Sequence, residues 1–554
     1  MPTFYPHLTA TGPAPPAREV AEAYRTYFYK RVEHGSLRPI VLPYHLYGLG
    51  LLVVYLCIDH RQRQYLYKAR WLVLAVIGWF QWKTLWEASS ASLATSYAAG
   101  LVSAWGFTWS ATWLVFYKPQ FTSKRIELAQ GKVESVDPRE EKCQSIVPQS
   151  DREYNCQIWK DARVRSGQAG NTNGPANGAV VEPSDGGRVK LVTEGVKVYY
   201  WQGYPTSLKR RISWLMDHLV NFRGPGWNWA ISTFPSNPKH IEQKLLGLDG
   251  RAEFWGLSEN NKKISRTGLQ RFDSRLELAG YIVPWFTAGY LLLDLTKTLM
   301  MKDPYFIFGP TTYDLPLYLR SLPPWALTTV HEVISFFAII LALEMVFMLA
   351  PIIFCLILGP KILGLRGEAW QYPTQFGHFY SNVSNKGLAG LWGGWWHQFF
   401  RSVFTAPTNF LIDNGFVDQR STLAKFLGLV FAFGISGVLH AAGSITQIPD
   451  THPWHLFYFF ALQAVGIWLQ SSVEILHDSK RVNLLFTAAW LLGTGWLIAN
   501  DFARGGIWLF EPVPFSPVRG YLGWGEEGDG WWCWGHVGVS WYTGRHWWES
   551  GIAL

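Results

Sequence analysis

Two histidines stand where residue type and spacing could support acid–base chemistry. The run 431–447 reads FAFGISGVLHAAGSITQ. On a helix, Ser436, His440, Ser444 and Gln447 fall on one face, at i, i+4, i+8 and i+11. Gly437 and Gly443 leave room beside the imidazole. An ionisable side chain inside an apolar run is costly in lipid, so it faces a bundle interior or a watery cavity. Polar residues also join helices as packing contacts, and spacing alone leaves both roles open. A neutral imidazole, with an unperturbed pKa of about 6.5, is suited to general acid–base work.

The second histidine lies in the run from Gly390 to Arg401, GLWGGWWHQFFR. Trp392, Trp395, Trp396, Phe399 and Val403 make an apolar stripe at helical spacing, with His397 and Arg401 at i, i+4 on another face. Pro407 is expected to end that helix. An interfacial aromatic helix with a solvated His and Arg fits the spacing equally well. The glycines favour something more, the close approach of another backbone or a ligand.

Other chemistries find no support. No histidine begins an HxxxD or HxxxxD motif, and Gly434-Ile435-Ser436-Gly437 is not GxSxG. No P-loop or Rossmann fingerprint occurs. Cys57, Cys143, Cys156, Cys355 and Cys533 are far apart and form no CxxC, so neither a metal site nor a disulfide framework is expected. Glu332, Glu344 and Glu474 lie in or beside apolar runs, as a transporter's carboxylates would, but they do not cluster in sequence.

The elements that position these residues follow from hydropathy. The chain has 554 residues, 49% hydrophobic but only 16% charged, and 31 tryptophans. That composition points to lipid, because indole favours the membrane–water interface. The net charge of +9 lies in loops beside apolar runs. It fits orientation in the bilayer and anionic headgroups better than nucleic acid.

Eight segments read as candidate spans of about 20 residues: 40–58, 71–87, 93–117, 276–300, 325–350, 423–443, 454–475 and 483–500. The run 351–359 either extends the fifth span past Pro351 or forms a re-entrant piece. The expected fold is all-α, a polytopic transmembrane bundle of about eight spans, because backbone groups in lipid must be satisfied within each segment.

Five regions follow: an N-terminal segment 1–39, spans within 40–117, a loop 118–275, a second membrane region 276–500 and a Trp-rich tail 501–554. The first residues lack a cleavable signal pattern, which leaves targeting to the first span. Arg61, Lys68, Lys118, Lys124, Arg271, Arg275, Lys361, Arg366, Lys480 and Arg481 place the loops that carry them in the cytosol. Arg25, Lys30, Arg31 and Arg38 argue the other way. Within the long loop, 165–188 is Gly/Asn/Pro-rich and reads as disordered. Residues 207–222 read as an amphipathic helix on the membrane surface, with Leu208, Ile212, Leu215, Leu219 and Phe222 on one face. Asn382 begins a glycosylation sequon that this topology leaves in the cytosol. The tail reads as an interfacial anchor or a lid.

Several motifs then carry a resemblance. These are Trp370-Gln371-Tyr372-Pro373-Thr374-Gln375-Phe376-Gly377, Leu391-Trp392-Gly393-Gly394-Trp395-Trp396-His397-Gln398 with Arg401, and Gly434-Ile435-Ser436-Gly437-Val438-Leu439-His440. Arg223-Gly224-Pro225-Gly226-Trp227-Asn228-Trp229 and stretches of the tail add to them. Together they resemble the wax-synthase-like branch of the membrane-bound O-acyltransferases, in particular the fungal secondary-metabolite acetyltransferases. Plant wax synthases read more like FWGRRWH. Here Leu391 replaces the Phe and Gly394-Trp395 replaces the paired Arg, which leaves Arg401 as the candidate donor-binding cation.

The resemblance implies acyl transfer from acyl-CoA, with acetyl-CoA favoured as co-substrate and no permanently bound cofactor. The acceptor would be a hydrophobic alcohol of terpenoid or related type. His440 would be the principal catalytic residue and His397 the second. Arg401, Trp396, Gln398, Ser436 and Ser444 would contact substrates. The endoplasmic reticulum would be the location. A long-chain wax or sterol ester synthase would use the same machinery with a wider tunnel, and a transporter is the competing class. The sequence is silent on oligomeric state.

Overall fold

A computed structural model describes residues 12–128, 199–245, 261–526, 529–535 and 540–554. The stretch 165–188 lies outside the described residues. The fold is mostly helical. Thirteen of its helices matter here: α1 (Ala17–Glu33), α2 (Tyr47–Cys57), α3 (Arg70–Glu87), α4 (Leu93–Ala111), α5 (Leu208–Val220), α6 (Arg275–Met300), α7 (Pro324–Ala350), α8 (Phe379–Gly390), α9 (Arg401–Asp413), α10 (Thr422–Ile445), α11 (Pro453–Ser472), α12 (Lys480–Thr494) and α13 (Trp496–Arg504).

Four starts are written in the sequence by serine caps. The hydroxyls of Ser92, Ser274, Ser421 and Ser479 accept from the backbone N–H groups of Thr95, Glu277, Ala424 and Val482. Each satisfies a donor that the first helical turn leaves open.

Among the described residues, four helices are long and apolar enough to cross a membrane: Arg275–Met300, Pro324–Gly367, Thr422–Ile445 and Lys480–Arg504. The other four expected spans are also helical, but they fall short in length or apolarity. The segment 40–58 contributes only the 11 residues of α2. In α3, α4 and α11 the apolar runs are diluted by Gln81, Lys83, several Ser and Thr, and Gln463 and Gln470. Of these, Gln463 and Gln470 bond Thr494 and Asn483 on α12, while Lys83 is half-buried and pairs with Glu87 on its own helix. Residues 351–358 continue α7 as a π-helical segment past Pro351.

The core around the candidate histidine is α10 packed on α11 and α4. Small residues set the approach. A Cβ on Gly100 of α4 would lie 1.9 Å from the Ala442 carbonyl oxygen, so this crossing requires glycine.

Two other expectations change. The stripe on α5 is split: Leu215 and Leu219 pack inward with Trp214 and His218, while Leu208, Ile212, Met216 and Val220 are exposed. The end of the Trp-rich tail is built into the fold. Gly551–Ala553 pairs antiparallel with Val41–Leu42, and the Ser90 hydroxyl donates to the Leu554 carbonyl. The end of the chain is thereby tied to the N-terminal region. Asn382 is buried, its side-chain amide donating to the Thr267 and His378 carbonyls. The sequon's amide is therefore engaged inside the fold.

Candidate active site

His440 sits in the last third of α10, with its ring stacked on Phe460 of α11 at 4.5 Å and 16°. Its Nδ1 is 2.7 Å from the hydroxyl of Tyr97 on α4. Gly443 makes this possible, since a Cβ there would lie 2.6 Å from the Tyr97 ring. The room expected beside the imidazole is thus filled by the residue that holds it. Gly437 likewise receives Phe457.

The rest of the expected polar face divides. Ser444 is fully buried and its hydroxyl donates to Asp501 Oδ2 at 2.8 Å. Asp501 Oδ1 accepts from the His452 backbone N–H. Gln447 donates to the Gly505 carbonyl at 2.8 Å. These two residues tie α10 to α13 and its exit. Ser436 is buried one turn before His440.

The segment holding His397 is not the single helix expected. Residues Leu391–Trp395 form a π turn, His397 lies in the loop after it, and α9 begins at Arg401. Pro407 lies inside α9 rather than at its end. The glycines explain the break. A Cβ on Gly394 would lie 2.3 Å from Asn382 Oδ1, and one on Gly390 would lie 2.0 Å from the Asn382 carbonyl oxygen. α8 itself breaks at Gly387 (φ 55°), so the chain folds back and both Gly390 and Gly394 lie against Asn382 in the first part of α8. The expected close approach is therefore to this protein's own backbone and Asn382.

Gln398 fastens the loop. Its amide donates to the carbonyls of Trp392 (2.9 Å) and Trp396 (2.6 Å), and its Oε1 accepts from Arg401 Nη1 at 2.6 Å. Arg401 Nη1 also reaches the Gly393 carbonyl at 3.2 Å. Gln398 and Arg401 thus act on the loop itself. Trp396 packs between Trp392 and His397, with ring centroids 5.3 Å from each.

His397 Nδ1 is sealed from solvent and has no partner among the described residues. Burial first, then the neighbouring His440 and Arg223, hold its pKa down at about 3. The ring is therefore neutral at neutral pH. The two histidines lie on separate elements, His440 on α10 and His397 in the loop before α9. An aromatic wall joins them: Phe460 lies 6.1 Å from Trp392, which contacts Trp396 and through it His397.

Residues outside the two motifs complete the site. Arg223 is buried, donating from Nη1 to the Thr374 carbonyl and from Nη2 to the Pro373 carbonyl, each at 2.8 Å. Its guanidinium lies over the rings of Phe234 and Phe399 at 5.1 and 5.2 Å. Burial pulls its pKa to about 9, while the Glu344 charge acts in the opposite direction. Glu344 Oε2 is buried without a partner among the described residues. Tyr97 and Phe460 carried no motif of their own, although Gly443, three residues beyond His440, marks a place for a large neighbour. Among the described residues no group of three or more His, Cys, Asp or Glu is placed to hold a metal.

Residues 372–462 match the family described as Membrane bound O-acyl transferase. That segment contains His397 and His440, while Tyr97, Arg223 and Glu344 fall outside it. The chain is 25% identical over 267 residues to Acetyltransferase spyB of Aspergillus fumigatus, covering 48% of this chain and 39% of that protein. It is 23% identical over 300 residues to Acetyltransferase ple2 of Rhodocybe pseudopiperita, covering 53% and 64%. It is also 23% identical over 356 residues to Acetyltransferase nanB of Aspergillus nanangensis, covering 60% and 77%. The chain thus spans less than two thirds of the first two of these relatives. No solved structure matches. The resemblance to membrane-bound O-acyltransferases read from the residues is matched by the family and by fungal acetyltransferases.

Proposed function

We propose that this protein is a membrane-embedded O-acyltransferase that moves an acyl group, preferentially acetyl, from acyl-CoA to a hydroxyl of a hydrophobic acceptor. The acetyltransferase names of the relatives support the choice of acetyl, and the acceptor class, a terpenoid or related secondary metabolite, is carried over from the resemblance alone. The endoplasmic reticulum is the proposed location. The eight-span topology would put the loop 118–275 and the His397 segment on the cytosolic side. The anionic donor then comes from the cytosol, and the greasy acceptor comes from lipid.

One observation carries the reading: the bond between His440 Nδ1 and the Tyr97 hydroxyl. For His440 to act as base, Nδ1 carries the ring proton and donates it to the Tyr97 oxygen, which leaves the Nε2 lone pair free. The acceptor hydroxyl gives its proton to Nε2 as its oxygen attacks the thioester carbonyl. The new C–O bond forms, the C–S bond breaks, and the imidazolium returns the proton to the departing thiolate. A positioned base typically contributes about 10²–10⁴-fold. No acyl-enzyme is needed, since both substrates can meet beside one ring.

Membranes from yeast expressing the full chain, given labelled acetyl-CoA or palmitoyl-CoA and a panel of terpenoid alcohols, test this. Acetyl transfer that is lost in His440→Ala at unchanged protein abundance is the expected result. Transfer of palmitoyl alone would make this a long-chain ester synthase. Wild-type turnover in His440→Ala would remove the histidine from the chemistry, and no consumption of either donor would favour a transporter.

A further inference from the structure

The inward side of α5 belongs to the core. Trp214, Leu215 and Leu219 pack with Leu52 and Leu56 of α2 and with Trp109 and Trp113. The outward side is apolar as well. Leu208, Ile212, Met216 and Val220 recur every four residues and are all exposed. This is a different stripe from the one the spacing predicts, since Met216 and Val220 take the places of Leu215 and Leu219. A continuous apolar stripe left open on a helix marks a contact with lipid or protein.

The surroundings say what covers it. The start of α5 is bonded to the end of α2, a helix whose Val54 and Ile58 are also exposed. The Tyr204 hydroxyl donates to the Leu56 carbonyl at 2.6 Å, and Arg211 Nη1 donates to the Cys57 carbonyl at 3.2 Å. The apolar outer surface of α2 therefore runs on to α5. Past α2, Tyr65 is 90% exposed and Trp71 is half-exposed, aromatic residues of the kind placed at a membrane–water boundary.

The charges agree. Arg61 and Arg211 both pair with Asp59, at 2.9 and 3.8 Å, and both lie over the Tyr204 ring, at 5.3 and 5.4 Å. That clamp joins the turn after α2 to the first turn of α5 and neutralises Asp59. Arg63, Lys68, Lys209 and Arg210, on the two joined segments, are exposed and form no ion pair among the described residues. Unpaired cations beside an apolar stripe match a leaflet that presents anionic headgroups above its acyl chains.

The far end of α5 reaches the second histidine. Phe222, two residues past the helix, lies 6.1 Å from the rings of both Phe399 and Phe400, and its carbonyl accepts from the Ser402 hydroxyl at 3.3 Å. Those two rings lie 6.1 and 6.4 Å from that of His397.

We infer that the outward face of α5, with the turn after α2, docks on anionic phospholipid of the adjoining leaflet, and that docking steadies the His397 loop through Phe222. Such docking needs only a membrane-embedded chain and is independent of the reaction the two histidines perform.

Hydrogen exchange of the full chain tests this, in phosphatidylcholine nanodiscs with and without phosphatidylserine. Exchange in 208–220 and in 396–402 should be about fivefold slower or more with phosphatidylserine. Salt at about 0.5 M should cancel the difference by screening. Lys209→Gln with Arg210→Gln changes two exposed positions. It should lose most of the phosphatidylserine effect while its Tm in detergent stays that of the wild type. Exchange in 208–220 of the wild type that ignores phosphatidylserine would overturn the inference, and this arm needs no variant. A full response in the variant would overturn the part given to the two cations. A response in 208–220 with none in 396–402 would overturn the link to the loop. Slowing that follows protein concentration in detergent, rather than phosphatidylserine, would give the face to a second copy of the chain and overturn the lipid assignment.

Discussion

Tyr97 and His440 lie 343 residues apart in the chain and 2.7 Å apart in the fold, hydroxyl against Nδ1. The bond occupies Nδ1 and fixes the rotation of the imidazole. In the proposed reaction Tyr97 acts through the histidine, as a positioning residue. Tyr97→Phe keeps the ring that packs on Phe502 and removes only the hydroxyl. The expected outcome is a fall in kcat of about tenfold, or 1.4 kcal/mol of barrier, with KM for both substrates nearly unchanged. Tyr97→Phe should also shift the pH–rate profile, because the imidazolium formed during attack loses its partner. An unchanged kcat and profile would reduce the bond to packing.

Ser444 gives the contrasting case on the same helix face. Its hydroxyl is fully buried and spent on Asp501. Ser444→Ala leaves a buried carboxylate oxygen without that donor, at a cost of about 1–3 kcal/mol. The expectation is a lower Tm in detergent with kcat per folded molecule within about twofold of wild type. A selective loss of kcat with no change in Tm would return Ser444 to the substrates.

These two residues show what was legible. The helical period placed Ser436, His440 and Ser444 on one face, and hydropathy found α6, α7, α10 and much of α12–α13. Period alone does not say which neighbour a face meets, so Tyr97 was invisible while Gly443, the residue that admits it, was in plain view. The His397 segment misled for a different reason. Its Trp spacing is helical, but the chain breaks at Gly387 and folds Gly390 and Gly394 back onto Asn382, and this local contact overrode the pattern. Four of the eight expected spans are long and apolar enough to cross a membrane, while α2 is short and polar residues lower the apolarity of α3, α4 and α11.

Gln398 tests the loop geometry. It bonds two carbonyls and one arginine within ten residues, holding the exit of the π turn closed. Gln398→Leu keeps much of the volume but removes all three bonds. His397 should then lose its fixed position, with donor KM raised and kcat lowered. Arg401→Lys, which forfeits the planar fork, should show a weaker version of the same change. If Gln398→Leu retains wild-type constants, the loop is held by its aromatic packing alone.

His218 supplies a prediction about pH that is independent of catalysis. It is fully buried on α5 among Trp113, Trp214, Trp227 and Trp229, and neither ring nitrogen has a partner among the described residues. Burial lowers its pKa to about 3. The unfolded chain, with a value near 6.5, takes up a proton that the folded chain refuses. Stability therefore falls as pH drops below about 6.5 and continues to fall toward 3. Between pH 7 and pH 5 this one group should cost about 2 kcal/mol. His218→Phe removes the titration and, because no ring nitrogen is bonded, breaks no hydrogen bond. Thermal unfolding of the two proteins at pH 7 and pH 5 should show a smaller acid loss in the variant. Equal losses would mean that the ring is protonated inside its tryptophan cage or that the cage opens before the rest of the fold.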